Sequence, residues 1–262
     1  MNLIGTRLME RPGFSIVCIN LIVIALMFTG QSSAEIDRKS IVGVWLFDEG
    51  SGKTAKDSSG QGNDGILNNN PKWVSGKFGK ALEFDGKDDY VEVPDSDALD
   101  VTVITLTAWV KGIVAQLVNG NVIVYKKPSY ILQYWASVIN PGVFVGGTWC
   151  GSGWLPAGVI WDDDWHHTAL TYDGSTQAFY VDGDLKGENT ACAGKIDITT
   201  SELQIGTGNV GFYTGSIDEV AVFNVVLSED DINLIITKGL KAIAAVFPDG
   251  KLTTTWGGIK AQ

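Results

Sequence analysis

An all-β fold, two antiparallel sheets packed as a sandwich with one short helix near the C-terminal end, is what this chain predicts. Three observations carry the prediction. Apolar residues recur with period two, turn residues interrupt the chain at intervals of about ten residues, and helical periodicity is confined to one short stretch.

In chain order, the first 34 of 262 residues read as an export signal. Arg7 and Arg11 precede the apolar run from Phe14 to Phe28, and Ser32-Ser33-Ala34 offers small residues for cleavage after Ala34. Ser15 and Asn20 break that run, which falls short of the roughly 20 apolar residues of a spanning helix. The mature chain is therefore expected to be secreted, with no membrane insertion. Residues 35–240 read as one domain and 241–262 as a tail of unknown role.

Leu106, Ala108 and Val110 share one face of a strand, which reads as half-buried; Ile217 to Phe223 is apolar on both faces and reads as central. Asp85-Gly86, Asp173-Gly174 and Asp182-Gly183 each stand between strand-like runs, the signature of tight hairpins. The helix is expected from about Glu229 to Lys238, with Ser228 as its cap, Asp231 at the third helical position, and Ile232, Ile235 and Ile236 as its apolar stripe. Beyond it, Phe247 to Lys251 reads as a turn and Leu252 to Trp256 as a strand of a tail hairpin. The chain shows no internal repeat.

The charge is acidic, 30 Asp and Glu against 19 Lys and Arg, with no cluster of basic residues. That balance excludes nucleic acid and anionic membrane as expected partners. Of three cysteines, Cys18 lies in the signal, leaving Cys150 and Cys192. In an oxidising compartment an even pair reads first as a disulfide, the other reading being two buried thiols.

Four stretches taken together carry a family resemblance. They are Gly43-Val44-Trp45-Leu46-Phe47-Asp48-Glu49-Gly50 with Asp57 to Gly65; Ala81 to Gly86 with Asp89-Tyr90-Val91; Trp165-His166-His167 with Phe179 to Gly183; and Gly215-Ser216-Ile217-Asp218-Glu219-Val220 with Asn224 and Leu227-Ser228. Over roughly Ile41 to Gly239 the chain resembles the concanavalin A-like lectin/glucanase superfamily, in its laminin-G-like, pentraxin-related branch. The resemblance implies a jelly-roll with one concave sheet and ligands held on that concave face or at loops along one edge. Fold alone does not set function.

Asp57 and Asn63 lie in a Gly-rich loop whose hard oxygens suit a structural calcium, with Asp218 reaching them from the closing strand. The other reading has Asp57 and Asn63 bonding their own turn backbone. The stretches matching the second pentraxin calcium pair, Tyr125 to Ser129 and Gly206 to Val210, lack the acids, so that site is not carried over. Asp162-Asp163-Asp164-Trp165-His166-His167 reads as a solvated turn entering a strand, because adjacent histidines on a strand point to opposite faces.

Four of nine tryptophans, Trp135, Trp149, Trp154 and Trp161, fall between Tyr130 and Trp165, around Cys150. Aromatic faces stack on sugar rings and other flat ligands, and Tyr134, Trp149 and Trp154 are the first choices for that role. The glucanase pattern Glu-x-Asp-x-x-Glu is not met by Glu83-Phe84-Asp85-Gly86-Lys87-Asp88, and no nucleophile motif appears. The expected role is a secreted, lectin-like binding module that is not an enzyme, its partner a glycan or, alternatively, a cell-surface protein.

Overall fold

The computed structural model describes residues 36–112, 121–135, 138–139, 141–150, 162–208 and 211–245. The stretch read as an export signal, Trp154, Trp161 and the residues beyond 245 lie outside the described residues.

Two large antiparallel sheets form the sandwich. One has eight strands, running Asp184–Asn189, Gln177–Val181, His166–Tyr172, Ile104–Gly112, Thr214–Phe223, Lys80–Asp85 and Lys72–Ser75, with Ile41–Trp45 paired to the far half of Thr214–Phe223. The other has nine, running Thr148–Cys150, Gly142–Val145, Tyr130–Trp135, Asn121–Lys126, Leu203–Ile205, Tyr90–Val93, Gly65–Asn68 and Thr54–Ala55, with Val138–Ile139 paired to Tyr130–Trp135. Their facing sides interdigitate around Trp45, Phe84, Leu106, Phe179, Val91 and Leu132, all at most 1% exposed.

The strand Ile104–Gly112 departs from its expected half-burial. Leu106, Ala108 and Val110 face the core as anticipated, but Thr105, Thr107 and Trp109 on the other side are buried too. The cause is a second apolar layer. Helix α1 (Glu229–Lys238) and helix α2 (Leu240–Ala245) set Ile232, Ile235, Leu240 and Ile243 over the eight-stranded sheet at Val44, Ala169, Ala221 and Phe223.

Helix α1 has the expected bounds, and its start carries a full capping box: Ser228 Oγ accepts from the Asp231 amide while the Asp231 carboxylate accepts from the Ser228 amide. Helix α2 is an addition. At six residues it is too short to show helical periodicity, and its Leu240 and Ile243 join the apolar cluster of α1.

Two of the three Asp-Gly turns are hairpins. Asp173-Gly174 joins His166–Tyr172 to Gln177–Val181, and Asp182-Gly183 joins that strand to Asp184–Asn189. Asp182 and Gly183 have φ +52° and +86°, the pair of left-handed residues that a two-residue turn requires. The third corrects the expectation. Lys80–Asp85 belongs to the eight-stranded sheet and Tyr90–Val93 to the nine-stranded one, so Asp85-Gly86 is a crossover between layers. Turn chemistry dictates a reversal of direction without choosing the strand that follows as partner.

Candidate functional site

Directly paired residues in an antiparallel sheet put their side chains on the same face. The nine-stranded sheet's register therefore defines a row on its outer side: Thr54 opposite Ile66, Ile66 opposite Glu92, Glu92 opposite Gln204, Gln204 opposite Tyr125, Tyr125 opposite Ile131, Ile131 opposite Gly142. Phe144, two residues beyond Gly142, pairs with Trp149 and puts it on this face.

Trp149 is half-buried there. Its ring lies 5.2 Å from that of Phe144, edge-on, and 6.2 Å from that of Tyr125. A Cβ on Gly142 would come within 3.2 Å of Trp149 Cε3, so the absence of a side chain at Gly142 leaves the indole its seat. Val122, Tyr125 and Ile131 form the apolar floor beneath it, distinct from the core between the sheets.

The strand bearing Trp149 is at the sheet's edge and is stapled. The Gly146-Gly147 turn before it has φ +59° and +82°, and both its amides donate to the Asp197 carboxylate, at 3.0 and 2.8 Å. Cys150, immediately after Trp149, is disulfide-bonded to Cys192, with Cα atoms 5.6 Å apart. The disulfide reading thus stands over two thiols.

Polar groups complete the face. Glu92, Gln204 and Gln133 are partly exposed, and among the described residues Gln133 Oε1 is buried without a hydrogen-bond partner. Leaving such an acceptor unmet costs about 1–3 kcal/mol.

The structure places the expected site residues unevenly. Tyr134 belongs to the interior: it is 2% exposed and packs in the core between the sheets, because Tyr130, Leu132 and Tyr134 alternate inward while Ile131 and Gln133 point out. It offers no surface for stacking. Trp149 sits on the open face, and Trp154 lies outside the described residues.

Of the calcium set, Asp57 and Asn63 are joined by a hydrogen bond, and Asp218 has other partners. The Asp57 carboxylate accepts from the amides of Val44, Ser59 and Asn63 and from Ser59 Oγ. Asn63 donates to the Val42 carbonyl and accepts from the Trp45 indole, both at 2.8 Å. That loop therefore ties itself to the first strand through its own polar atoms. Asp218 accepts from the Phe78 and Glu219 amides, shares no hydrogen-bond partner with Asp57, and is fully buried. Burial pushes its carboxyl up to about 8.

Among the described residues, Asp85, Asp88 and Asp89 at the crossover turn bring carboxylate oxygens within 4.8 Å of one another and could hold a metal ion. Asp85 and Asp88 are exposed and Asp89 is buried. Asp89 already accepts from the Asn70 and Asp85 amides, and Lys87 Nζ stands 3.3 Å from Asp85.

His166 and His167 point to opposite faces, as expected. His166 is held between Asp182 at 2.6 Å and Asp162 at 3.0 Å; burial lowers its pKa, but those hydrogen bonds outweigh it and hold it above the ordinary value. His167 is fully buried, 5.3 Å from the Trp109 ring, and desolvation drives its pKa down to about 3, so it is neutral.

Sequence reasoning missed Tyr125, Phe144, Gly142, Gln204 and Glu92. They come from strands up to about a hundred residues apart in the chain, and only cross-strand register unites them.

A two-layer antiparallel jelly-roll with an aromatic-bearing outer face defines the class by its fold: a concanavalin A-like sandwich domain. The chain belongs to the concanavalin A-like lectin/glucanases superfamily, whose laminin-G family model matches residues 85–233. No curated protein matches it.

Among solved structures it is similar to domain 4 of an extracellular GH43 arabinanase from Geobacillus stearothermophilus, in complex with arabinotriose. The identity is 19% and the TM-score 0.61, over 75% of this chain and 98% of that one. It is also similar to the binding domain of Paraclostridial Mosquitocidal Protein 1, at 13% identity and TM-score 0.59 over 76% of this chain and 52% of that one. A third is a Trypanosoma rangeli sialidase in complex with sialic acid, at 18% identity and TM-score 0.57 over 78% of this chain and 33% of that one. The chain thus spans about half of the toxin domain and a third of the sialidase, and these likenesses show the fold.

Proposed function

We propose that this protein is a secreted glycan-binding module, without catalysis of its own, that holds a sugar chain on the outer face of its nine-stranded sheet. The observation that carries the reading is Trp149 seated over Gly142 beside Phe144, with Gln133, Gln204 and Glu92 along the same face. The indole offers a flat apolar surface to a sugar ring. The amides and carboxylate offer hydrogen bonds to hydroxyls, and the unpaired Gln133 Oε1 is an acceptor that a ligand hydroxyl would satisfy. Glu92 on the face and the net acidity of the chain favour a neutral glycan over a uronic or sialic acid.

Secretion is part of the proposal. It rests on the export-signal pattern of residues 1–34 and on the Cys150–Cys192 bond, which persists in oxidising compartments. Among the described residues no helix is long and apolar enough to cross a membrane. One structural calcium is also part of it, placed at Asp85, Asp88 and Asp89, with hard oxygen ligands on a turn.

A protein partner is the second reading, favoured by Ile66, 50% exposed at the far end of the same row. A glycan array separates the two. Hits on neutral oligosaccharides that vanish in Trp149→Ala support glycan binding, whereas an array without hits, together with a saturable protein ligand on cell surfaces, supports the second. Release of reducing sugar from a bound glycan would move the protein to the enzymes.

A further inference from the structure

A cleft of about 430 Å³, lined by none of the residues of the Trp149 face, opens where the start of the first strand, the Gln61 loop and the segment from Asp97 to Thr102 meet. Its size falls within the range of roughly 300–1,000 Å³ typical of small-ligand sites. Such sites are usually apolar with a few polar groups. This one reverses the proportion: Lys39, Gln61, Asp97, Asp100, Thr102 and Asn224 contribute polar side chains, while the apolar part of the lining is Val42, Ala98 and Val101.

Both walls are fixed. On one side Ser96 Oγ caps the 3-10 turn Asp97–Leu99 by accepting from the Ala98 amide, Leu99 is fully buried, and the Leu99 carbonyl accepts from Tyr130 Oη at 3.2 Å. Asp100 stands 3.3 Å from the ammonium of fully buried Lys126, which holds its carboxylate in place. On the other side the Asn224 amide donates to the Ser40 carbonyl at 2.9 Å, and Asn63 Nδ2 donates to the Val42 carbonyl. Between these walls Lys39, Gln61, Asp97 and Asn224 are exposed, and among the described residues their side chains make no hydrogen bond, which leaves their donors and acceptors to solvent or to a ligand.

We propose that this cleft is a second, independent binding site, for one terminal residue of a neutral sugar held by hydrogen bonds alone. The chemistry selects that ligand class. Two carboxylates accept from neighbouring hydroxyls, while the Lys39 ammonium and two carboxamides donate to hydroxyl and ring oxygens. The wall carries both signs of charge, so neither an anion nor a cation is favoured strongly. No aromatic ring lines the cleft, so the ligand is gripped by its edges, in contrast to stacking on Trp149. A cleft bounded by two walls takes a chain end, and the flat sheet face takes a chain interior.

Saturation-transfer NMR on the mature protein with millimolar L-arabinose, D-galactose or D-glucose tests this directly. The expected result is transfer to at least one of them that survives in Trp149→Ala and falls at least fivefold in the double variant Asp97→Asn, Asn224→Ala. Both replaced residues are exposed, and an unchanged melting midpoint confirms the fold. Absence of transfer from all three sugars overturns the proposal. So does transfer lost in Trp149→Ala but kept in the double variant, an outcome that leaves the sheet-face reading intact.

Discussion

Trp149 occupies the space over Gly142 that a side chain there would claim, with Cε3 only 3.2 Å from where a Cβ would stand. A contact that short obliges the neighbour to shift. Gly142→Ala should therefore tilt the indole while leaving the core untouched, since Gly142 faces away from the sheet interface. The expected outcome is a loss of stability under about 1 kcal/mol with glycan affinity weakened several-fold, measured by calorimetric titration beside a denaturant melt. Unchanged affinity would mean that the ring's seat does not matter to binding.

Lys126 shows how the chain supplies its own cation inside the fold. Its ammonium is fully buried, 2.6 Å from Asp95, 3.3 Å from Asp100, and donates to the carbonyls of Thr199 and Ser201 at 3.1 and 2.8 Å. Lys126→Met keeps the stem and removes the charge, leaving buried acceptors without a donor. A loss of about 3 kcal/mol is expected in urea unfolding, in the range for breaking a buried ion pair from one side. A loss below about 1 kcal/mol would show that water replaces the ammonium at little cost.

The Cys150–Cys192 bond closes a loop of 42 residues and anchors the edge strand that carries Trp149. Cys192→Ser should lower stability by about 2–4 kcal/mol and, because the strand end is released, weaken glycan binding more than that global loss accounts for well below the melting point. Equal binding by the oxidised and Cys192→Ser proteins at 10 °C would detach the staple from the site.

Asp218 and Glu219 give the stability a pH signature. Both lie in a bulge of the strand Thr214–Phe223, Glu219 with φ +43° and its carboxylate accepting from the Leu240 amide at 2.7 Å. Burial pushes Asp218 up to about 8 and Glu219 up to about 7. Carboxyls raised in the folded state bind more protons there than in the unfolded chain. Their contribution is complete below the ordinary carboxylate range near 4 and is lost as pH rises through about 7 to 8. His166, also raised, acts in the same direction. Comparing wild type with Asp218→Asn cancels His166, and the variant's midpoint should fall less between pH 5.5 and 8.5. Parallel curves would remove Asp218 from the account.

Much of the framework was readable in the chain itself because local chemistry decides it. The capping box of Ser228 and Asp231 marks the start of α1, and Asp182-Gly183 adopts the left-handed turn its residue types favour. The binding face was readable only in part. Trp149 stood out by residue type, but Tyr134 was placed on the wrong side, because Tyr130–Trp135 is apolar at both parities and period two alone does not choose the face. Tyr125, Gln204 and Glu92 join Trp149 through pairings across six strands, which no local signal encodes. Asp57 and Asn63 have the residue types of a cation loop, yet the Asp57 carboxylate accepts from neighbouring amides and the Asn63 backbone carbonyl from the Trp45 indole.

The most direct test is titration of the mature protein with neutral oligosaccharides, beginning with arabinotriose, in wild type and Trp149→Ala. Saturable binding to at least one glycan that weakens tenfold or more in the variant, a difference of about 1.4 kcal/mol, with the melting midpoint preserved, is the predicted result. Binding that is indifferent to Trp149, or no glycan bound by the folded wild type, would contradict the placement of the site on this face.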